Sequence, residues 1–117
     1  MVSKKVVASV RRYVRALAKR GVKVPFVVIF GSQATGRTHE WSDIDLIVVS
    51  PKFDRARRLK DTMLLWEVAA RTDSRIEPIA CGEKQWIEDD SSAIIEMARR
   101  EGERVGVEET PEATQRK

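Results

Sequence analysis

The hydrophobic pattern changes its period several times along the first half of the chain. Between residues 3 and 19 apolar side chains recur every three or four positions with Lys and Arg between them, which predicts an amphipathic helix. Residues 24–30 form a short, continuous, β-branched run, which is typical of a strand buried on both faces. The mostly apolar segment over residues 43–49 predicts a second strand, which ends at Ser50-Pro51. The predicted order is helix, strand, polar loop, strand.

Helical spacing returns after the second strand. Four apolar residues follow one another at intervals of three or four and predict a helix over residues 55–71. They are Leu59, Met63, Trp66 and Ala70. Trp66 is expected to lie in the core because it belongs to this apolar stripe.

The remaining segments complete a small sheet. Residues 74–80 alternate in polarity and predict a third strand, and residues 82–90 predict a loop or a short helix. Residues 91–100 predict a helix and residues 104–107 a short edge strand. The inward positions of that last helix are predicted to be Ile94, Met97 and Ala98. The fold class is therefore α/β (α+β), a small mixed sheet flanked by helices.

Length and composition bound the organisation of the chain. The 117 residues, 42% of them apolar, suit a single domain over residues 1–107, and the polar residues 108–117 are expected to be a disordered tail. The longest apolar run has five residues, too few for a membrane-spanning helix, and no apolar signal segment follows the N-terminus. The single cysteine, Cys81, excludes an intramolecular disulfide framework. A cytoplasmic location is expected.

Charge is distributed unevenly. Residues 1–39 contain nine Lys or Arg and no Asp or Glu, whereas residues 77–117 contain eleven Asp or Glu and six Lys or Arg. The basic segment is either the solvated outer face of the first helix or a surface that attracts an acidic partner. Because Tyr13 is the only aromatic residue among the basic ones of the first predicted helix, a nucleic acid such as tRNA is weakly supported as a partner. The asymmetry also allows head-to-tail self-association.

Two carboxylates begin the second predicted strand. Asp43 and Asp45 are two positions apart, so the period of a strand directs both side chains to one face. Neighbouring carboxylates repel each other, and burial penalises each charge further unless a cation compensates. Oxygen ligands suit Mg²⁺ or Mn²⁺. The alternative is a strand end that reaches solvent, where two acids cost little.

A glycine turn precedes these acids. Gly31-Ser32 directly follows the first predicted strand, and Gly36 lies further along the same loop. Glycine lets the backbone turn sharply and approach a ligand closely, and such a turn can direct backbone N–H groups toward a phosphate. The loop is not a Walker A motif, because it lacks the Gly-Lys-Ser/Thr ending. A phosphate cradle beside a divalent-metal site is the arrangement that phosphoryl or nucleotidyl transfer requires.

Further polar residues are candidates for the same site. Glu77, in the third predicted strand, could join the two aspartates, ligate one metal ion and accept a proton, or it could be an edge-strand glutamate that faces water beside Pro78. Arg37, in the motif loop, could contact a triphosphate, although a solvated surface position is the alternative. Ser42 could hydrogen-bond a phosphate or hold the turn.

These residues carry a family resemblance. Gly31-Ser32, ten intervening residues and then Asp43-Ile44-Asp45-Leu46 resemble the signature of the DNA-polymerase-β-like nucleotidyltransferase superfamily. The fuller string, Gly-Ser-x-x-x-Gly ending in Ser-Asp-Ile-Asp-Leu, is most similar to the small stand-alone minimal nucleotidyltransferases. The motif covers residues 30–49, and the order of elements extends the agreement over about residues 3–100.

The resemblance implies a set of roles. Gly31 and Ser32 match the pair that contacts the phosphates of an NTP, and Asp43 and Asp45 match the acids that bind two Mg²⁺ ions. The third acid of the superfamily, most often Asp, corresponds to Glu77. Minimal members often pair with a small all-helical HEPN protein as its antitoxin, in some cases by adding AMP to a tyrosine of the partner. Larger relatives carry a C-terminal helical domain for the acceptor, which is not expected here.

Three functions compete at this point. The first is an enzyme that transfers a nucleoside monophosphate, AMP from ATP, to a hydroxyl group and releases pyrophosphate. The second is a non-catalytic binding module that neutralises a helical partner by surface contact. The third and weakest is a nucleic-acid binder that uses the basic first helix, for which affinity would fall steeply with salt.

Overall fold

A computed structural model of the chain describes residues 2–35, 42–55 and 59–106. These residues form helices and strands in the order that the hydrophobic pattern predicts. The helices are α1 (Lys4–Lys19), α2 (Ser32–Thr35), α3 (Leu59–Thr72), α4 (Glu83–Glu88) and α5 (Ala93–Glu101), and the strands are β1 (Phe26–Phe30), β2 (Ile44–Val49), β3 (Ile76–Cys81) and β4 (Glu103–Gly106). A 3₁₀ turn, which the sequence did not indicate, spans Pro51–Asp54.

The strands form one mixed sheet in the order β3-β2-β1-β4. β1 runs antiparallel to both β2 and β4, whereas β2 and β3 run parallel. The parallel pair is possible because α3 carries the chain back between β2 and β3, the crossover that parallel strands require. The predicted fold class, a small mixed sheet flanked by helices, is confirmed.

Helix α1 begins and ends where its sequence signals predict. The Ser3 hydroxyl caps the first turn by accepting a hydrogen bond from the Val6 N–H at 3.2 Å. Gly21 follows the last turn with a φ of +88°, a left-handed conformation that favours glycine. The apolar stripe of α1 packs onto the sheet, and its Lys and Arg side chains face outward.

The sheet separates two hydrophobic layers. On one face α1 and α3 pack over the alternating side chains of β2 that include Ile44, Leu46 and Val48, all fully buried. On the other face α5, with Trp86 of α4, covers the opposite set, which includes Ile47. β1 is buried along its whole length, as predicted for a strand covered on both sides.

Two predicted core positions are wrong. Trp66 is 47% exposed, because α3 turns its other apolar stripe, Leu65, Val68 and Ala69, toward the sheet. In α5 Ile94 is 44% exposed and Ile95 is buried in its place, whereas Ala98 is buried and Met97 partly buried, as predicted. In both helices two adjacent apolar stripes compete for the core, and the sheet can cover only one of them.

Some predictions fall outside the described residues. The predicted tail over residues 108–117 is one of them, as is the loop around Gly36 and Arg37. In the described part of the chain, no helix has both the length and the apolar character needed to cross a membrane.

Candidate active site

Asp45 of β2 and Glu77 of β3 lie in one row of the sheet, next to the end of β1. In the register of the sheet Phe30 of β1 lies opposite Asp45 of β2, and Asp45 lies beside Glu77 of β3. The Asp45 and Glu77 side chains are both half-buried and share the face of the sheet that α4 and α5 cover. The parallel pairing of β2 and β3 therefore places the third acid next to the aspartate pair.

Asp43 completes a group of three carboxylates that influence one another; it is exposed and immediately precedes β2. Burial raises the pKa of Asp45, and the negative charge of Asp43 raises it further. Burial is also the main cause that raises the pKa of Glu77. The charge of Asp43, a hydrogen bond between the Glu77 and Asp43 carboxyl groups, and the charge of Asp45 raise this pKa further. The group favours a proton or a cation in its midst.

Gly31 forms the turn that faces these acids. Its φ is +73°, a conformation that glycine adopts without strain, and its carbonyl accepts hydrogen bonds from the N–H groups of Ala34 and Thr35 at 3.1 and 3.2 Å. A side chain at this position would overlap the Asp45 carboxylate. The glycine therefore satisfies two requirements at once, a left-handed turn and close approach of the backbone to an acid.

Gln33 ties the glycine turn to the acid strand, a connection that the sequence analysis missed. The side chain is only 5% exposed, and its Nε2 donates hydrogen bonds to the carbonyl oxygens of Ser42 and Asp43 at 3.3 and 3.2 Å. Helix α2 and the start of β2 are thereby fixed to each other. The sequence offered one signal for this role, a side-chain amide within the motif loop, and that residue belongs to no periodic pattern.

The other predicted phosphate contacts are placed less completely. Ser32 begins α2, directly after the glycine turn, and is half-buried. Ser42 lies directly before Asp43, and its backbone carbonyl accepts a hydrogen bond from the Gln33 side chain. Arg37 lies outside the described residues.

An ion pair anchors the beginning of β3. Arg75 donates to both carboxylate oxygens of Asp73, from Nε at 3.0 Å and from Nη2 at 2.7 Å, and the Arg75 carbonyl accepts the Ile44 N–H at 2.8 Å. Arg75 is the main cause that holds the pKa of Asp73 at about 2, and the Ser9 hydroxyl of α1 contributes to the shift. The anchor joins α1, β2 and β3 at the edge of the sheet that carries the acids.

The donor set at this edge fits a hard divalent cation. It consists of carboxylate oxygens that repel one another, and such oxygens are the ligands that Mg²⁺ and Mn²⁺ prefer. Among the described residues no group of three His, Cys, Asp or Glu side chains forms a ready metal cage. Mg²⁺ does not require one, because it is commonly bound through one or two carboxylates with phosphate and water oxygens as its other ligands.

Comparison with known proteins agrees with this geometry. A family model described as a nucleotidyltransferase domain matches residues 8–101. A candidate nucleotidyltransferase from Sulfolobus solfataricus, solved at 1.40 Å, is structurally similar with a TM-score of 0.53 and 23% identity over 69% of this chain and 70% of that chain. A crystal structure of a toxin–antitoxin with AMP-PNP is similar with a TM-score of 0.57 and 16% identity over 88% of this chain and 77% of that chain.

The structural similarities establish the fold, and the family model establishes the family. A search of curated protein sequences found no significant match. The matched region contains the glycine turn, the aspartate pair and Glu77, together with all of β1, β2 and β3. The chain belongs to the nucleotidyltransferase domain family.

Proposed function

We propose that the protein is a Mg²⁺-dependent enzyme that transfers AMP from ATP to a hydroxyl group of a protein. The acceptor proposed is a tyrosine of a small helical HEPN-type partner, which makes the chain the antitoxin of a toxin–antitoxin pair. The coarser activity, nucleotidyl transfer, follows from the family. Beyond that activity, we propose the identities of the metal, the nucleotide, the acceptor and the partner.

One observation carries the proposal. Asp45 of β2 and Glu77 of β3, with Asp43 just before β2, lie at one edge of the sheet, beside a turn that only glycine can form without strain. A structural role would not require three repelling acids next to a backbone that a single Cβ would obstruct. Binding of a metal–triphosphate complex accounts for both features.

The side chains divide the work of the reaction. The Gly31–Ser32 turn holds the β- and γ-phosphates, so that the α-phosphate lies over the acids. The oxygen of the acceptor hydroxyl forms a bond to the α-phosphorus, and the bond from that phosphorus to the bridging oxygen breaks. Pyrophosphate leaves, and Glu77, whose pKa is raised, takes the proton of the hydroxyl. Asp43 and Asp45 would hold two divalent cations, which supply neutralisation of the phosphate charge when bound.

The support for a partner protein comes from a structurally similar protein and not from the site itself. One structurally similar protein is a toxin–antitoxin solved with AMP-PNP, so the same fold occurs in that setting with an ATP analogue. The alternative function is a binding module whose site is unused. It predicts neutralisation of a partner without any chemical change.

Nucleotide binding tests the site directly. Isothermal titration of MgATP into the protein should give saturable one-site binding that the double variant Asp43→Asn/Asp45→Asn loses. Asp90→Asn is the matched control, because Asp90 is an exposed acid outside the site, and the variant should bind as the wild type does. Equal binding by all three proteins would overturn the assignment of the acids.

Transfer tests the activity. The protein and a candidate helical partner from the adjoining coding region are incubated with MgATP, and the partner is weighed by mass spectrometry for one added AMP. The double aspartate variant should abolish the added mass and leave partner binding intact. If the wild type never adds mass and both proteins neutralise the partner equally, the chain is a binding module.

A further inference from the structure

The outer face of α3 carries an apolar stripe that the described residues leave uncovered. Leu59 is 75% exposed, Met63 60% and Trp66 47%. The three residues are spaced at i, i+4 and i+7, so they lie along one side of the helix over about 10 Å. Single exposed apolar residues are ordinary on a protein surface, but an aligned series that includes Trp is typical of an interaction site.

Basic groups border this stripe. A cavity of about 420 Å³ adjoins it, with Met63 and Leu64 in its wall and Arg20, Lys52 and Lys60 at its rim. The two acids in the same wall are already engaged or buried: Glu67 pairs with Arg20 and Arg71, and Asp61 is buried. The lysines are exposed, so the rim offers positive charge to an occupant.

The neighbouring helix α1 adds further positive charge to this surface. α1 packs beside α3 in this layer and contains no acid, and its outward side chains are exposed Lys and Arg. The exposed bases on α1 are Lys4, Lys5, Arg11, Arg12, Arg15 and Lys19. An occupant of this layer must therefore combine an apolar stripe with negative charge.

A protein helix fits these features better than a nucleic acid does. Sequence-independent binding of single strands needs several exposed aromatic rings along a basic groove. Tyr13, the aromatic residue of α1, is fully buried and donates its hydroxyl hydrogen to the Leu65 carbonyl at 3.0 Å. Among the described residues of this layer Trp66 is the exposed aromatic side chain, and it is aligned with Leu59 and Met63 as the anchors of a helix-in-groove contact are.

We propose that the outer face of α3 docks an amphipathic helix of a second protein, with acidic residues beside its apolar stripe. The apolar side chains of that helix cover Leu59, Met63 and Trp66, and its carboxylates meet Lys52 and Lys60. The contact itself follows from this surface; only the identification of the second protein with the neutralised partner rests on the proposed function.

The docking face and the acid edge lie on different sides of the sheet. α3 covers the face that carries Ile44, Leu46 and Val48, whereas Asp45 and Glu77 belong to the opposite face. A helix bound on α3 therefore leaves the glycine turn and the acids open to nucleotide. Variants of the docking face should weaken partner binding and leave MgATP binding unchanged.

Site-specific crosslinking tests the contact. The full-length chain carries benzoylphenylalanine at position 63 in cells that retain its native neighbouring genes, and a second version carries it at position 87. Ile87 is the matched control, since it is an apolar residue of α4, 76% exposed, in the layer on the other face. We expect position 63 to crosslink one protein within a helix that contains apolar and acidic residues, and position 87 not to do so.

Reconstitution with the purified crosslinked protein gives the decisive measurement. Met63→Glu and Trp66→Ala should each weaken its affinity about tenfold or more, whereas Ile87→Glu should not, and higher salt should weaken the wild-type contact. MgATP binding by Met63→Glu should equal that of the wild type, which separates a failure of docking from a failure of the nucleotide site. Thermal unfolding checks that each variant is folded.

Several outcomes overturn the proposal. They are crosslinks from position 63 to nucleic acid, to a second copy of the chain or to its own residues 107–117, the absence of any crosslink there, and an affinity that Met63→Glu does not change.

Discussion

Gly31 shows at the scale of one residue how backbone geometry and site chemistry are joined. Its φ of +73° disfavours every other residue, and its missing side chain leaves room for the Asp45 carboxylate. Gly21 offers a comparison within the same chain, because its φ is +88° but a Cβ there would meet nothing within 4 Å. The two glycines separate backbone strain from crowding of the site.

Replacing each glycine by alanine should therefore give different results. Gly21→Ala should cost about 1 kcal/mol of unfolding free energy from backbone strain alone and leave MgATP binding intact. Gly31→Ala should cost about 2 kcal/mol and should also abolish binding, because Asp45 must move. Urea unfolding and titration calorimetry measure the two effects. Equal nucleotide affinity in the two variants would contradict the role assigned to the Gly31 turn.

The Asp73–Arg75 pair gives a prediction about pH. The pKa of Asp73 is lowered to about 2, so the ionised form is stabilised in the folded protein. Its contribution to stability is complete above about pH 4, the pKa range of an unfolded aspartate, and is lost as the pH falls toward 2. Asp73→Asn should destabilise the protein by about 1–2 kcal/mol at pH 7, a value that allows for solvent screening.

Unfolding measured between pH 7 and pH 2 checks this sign. The difference between wild type and Asp73→Asn should be constant down to about pH 4 and then shrink. A difference that grows as the pH falls would mean that another group dominates.

At the scale of the elements, Gln33 is the link between α2 and β2. Its amide donates to two carbonyl groups at the start of the acid strand from a position only 5% exposed. Gln33→Leu should fill the space but cannot donate, so we expect a loss of about 1–2 kcal/mol and faster amide exchange over residues 42–45. Thr35→Val is the control, since the exposed Thr35 hydroxyl bonds, among the described residues, to carbonyl groups of its own turn. Unchanged exchange in Gln33→Leu would show that the link is dispensable.

The elements also show which parts of the fold the sequence could predict. Strands β1 and β2, the capped helix α1 and the glycine turn were predictable, because each depends on local spacing. The pairing that brings Glu77 beside Asp45 was left open by the sequence and is given by the sheet. The orientation of α3 was not predictable. Its two apolar stripes are almost equally hydrophobic, and only the finished sheet decides that Leu65 is buried and Trp66 exposed.

The polar contacts that support the site could not be predicted from the sequence, for a different reason. Gln33 bonds to backbone carbonyls nine and ten residues away, and Asp73 is influenced by Ser9 of α1. Such contacts depend on how the chain folds back and leave no periodic signal. The catalytic and metal-binding roles of Asp43, Asp45 and Glu77 stay predictions.

At the scale of the whole molecule, the acid edge lowers the stability of the folded chain. Asp45 is half-buried beside Glu77 and near Asp43, and burial and repulsion both disfavour its charge. Asp45→Asn should therefore raise the melting temperature of the nucleotide-free protein by about 2–6 °C, as about 1 kcal/mol of relief would. The variant should lose the further rise that MgATP gives to the wild type.

Differential scanning calorimetry with and without MgATP measures both parts of this prediction. Asp90→Asn, an exposed acid outside the site, is expected to change neither value. A lower melting temperature for Asp45→Asn would mean that the carboxylate stabilises the folded chain.

The alternation along β2 also constrains how the sheet can assemble. Ile44, Leu46 and Val48 are fully buried beneath α1 and α3, and Asp45 belongs to the other face. A slip of β2 by one residue would exchange the two faces and force the Asp45 carboxylate into that apolar layer. The cost of burying an unpaired carboxylate is about several kcal/mol, comparable with the whole stability of a small domain. The cost of burying Asp45 thus also disfavours mispaired sheets while the protein folds.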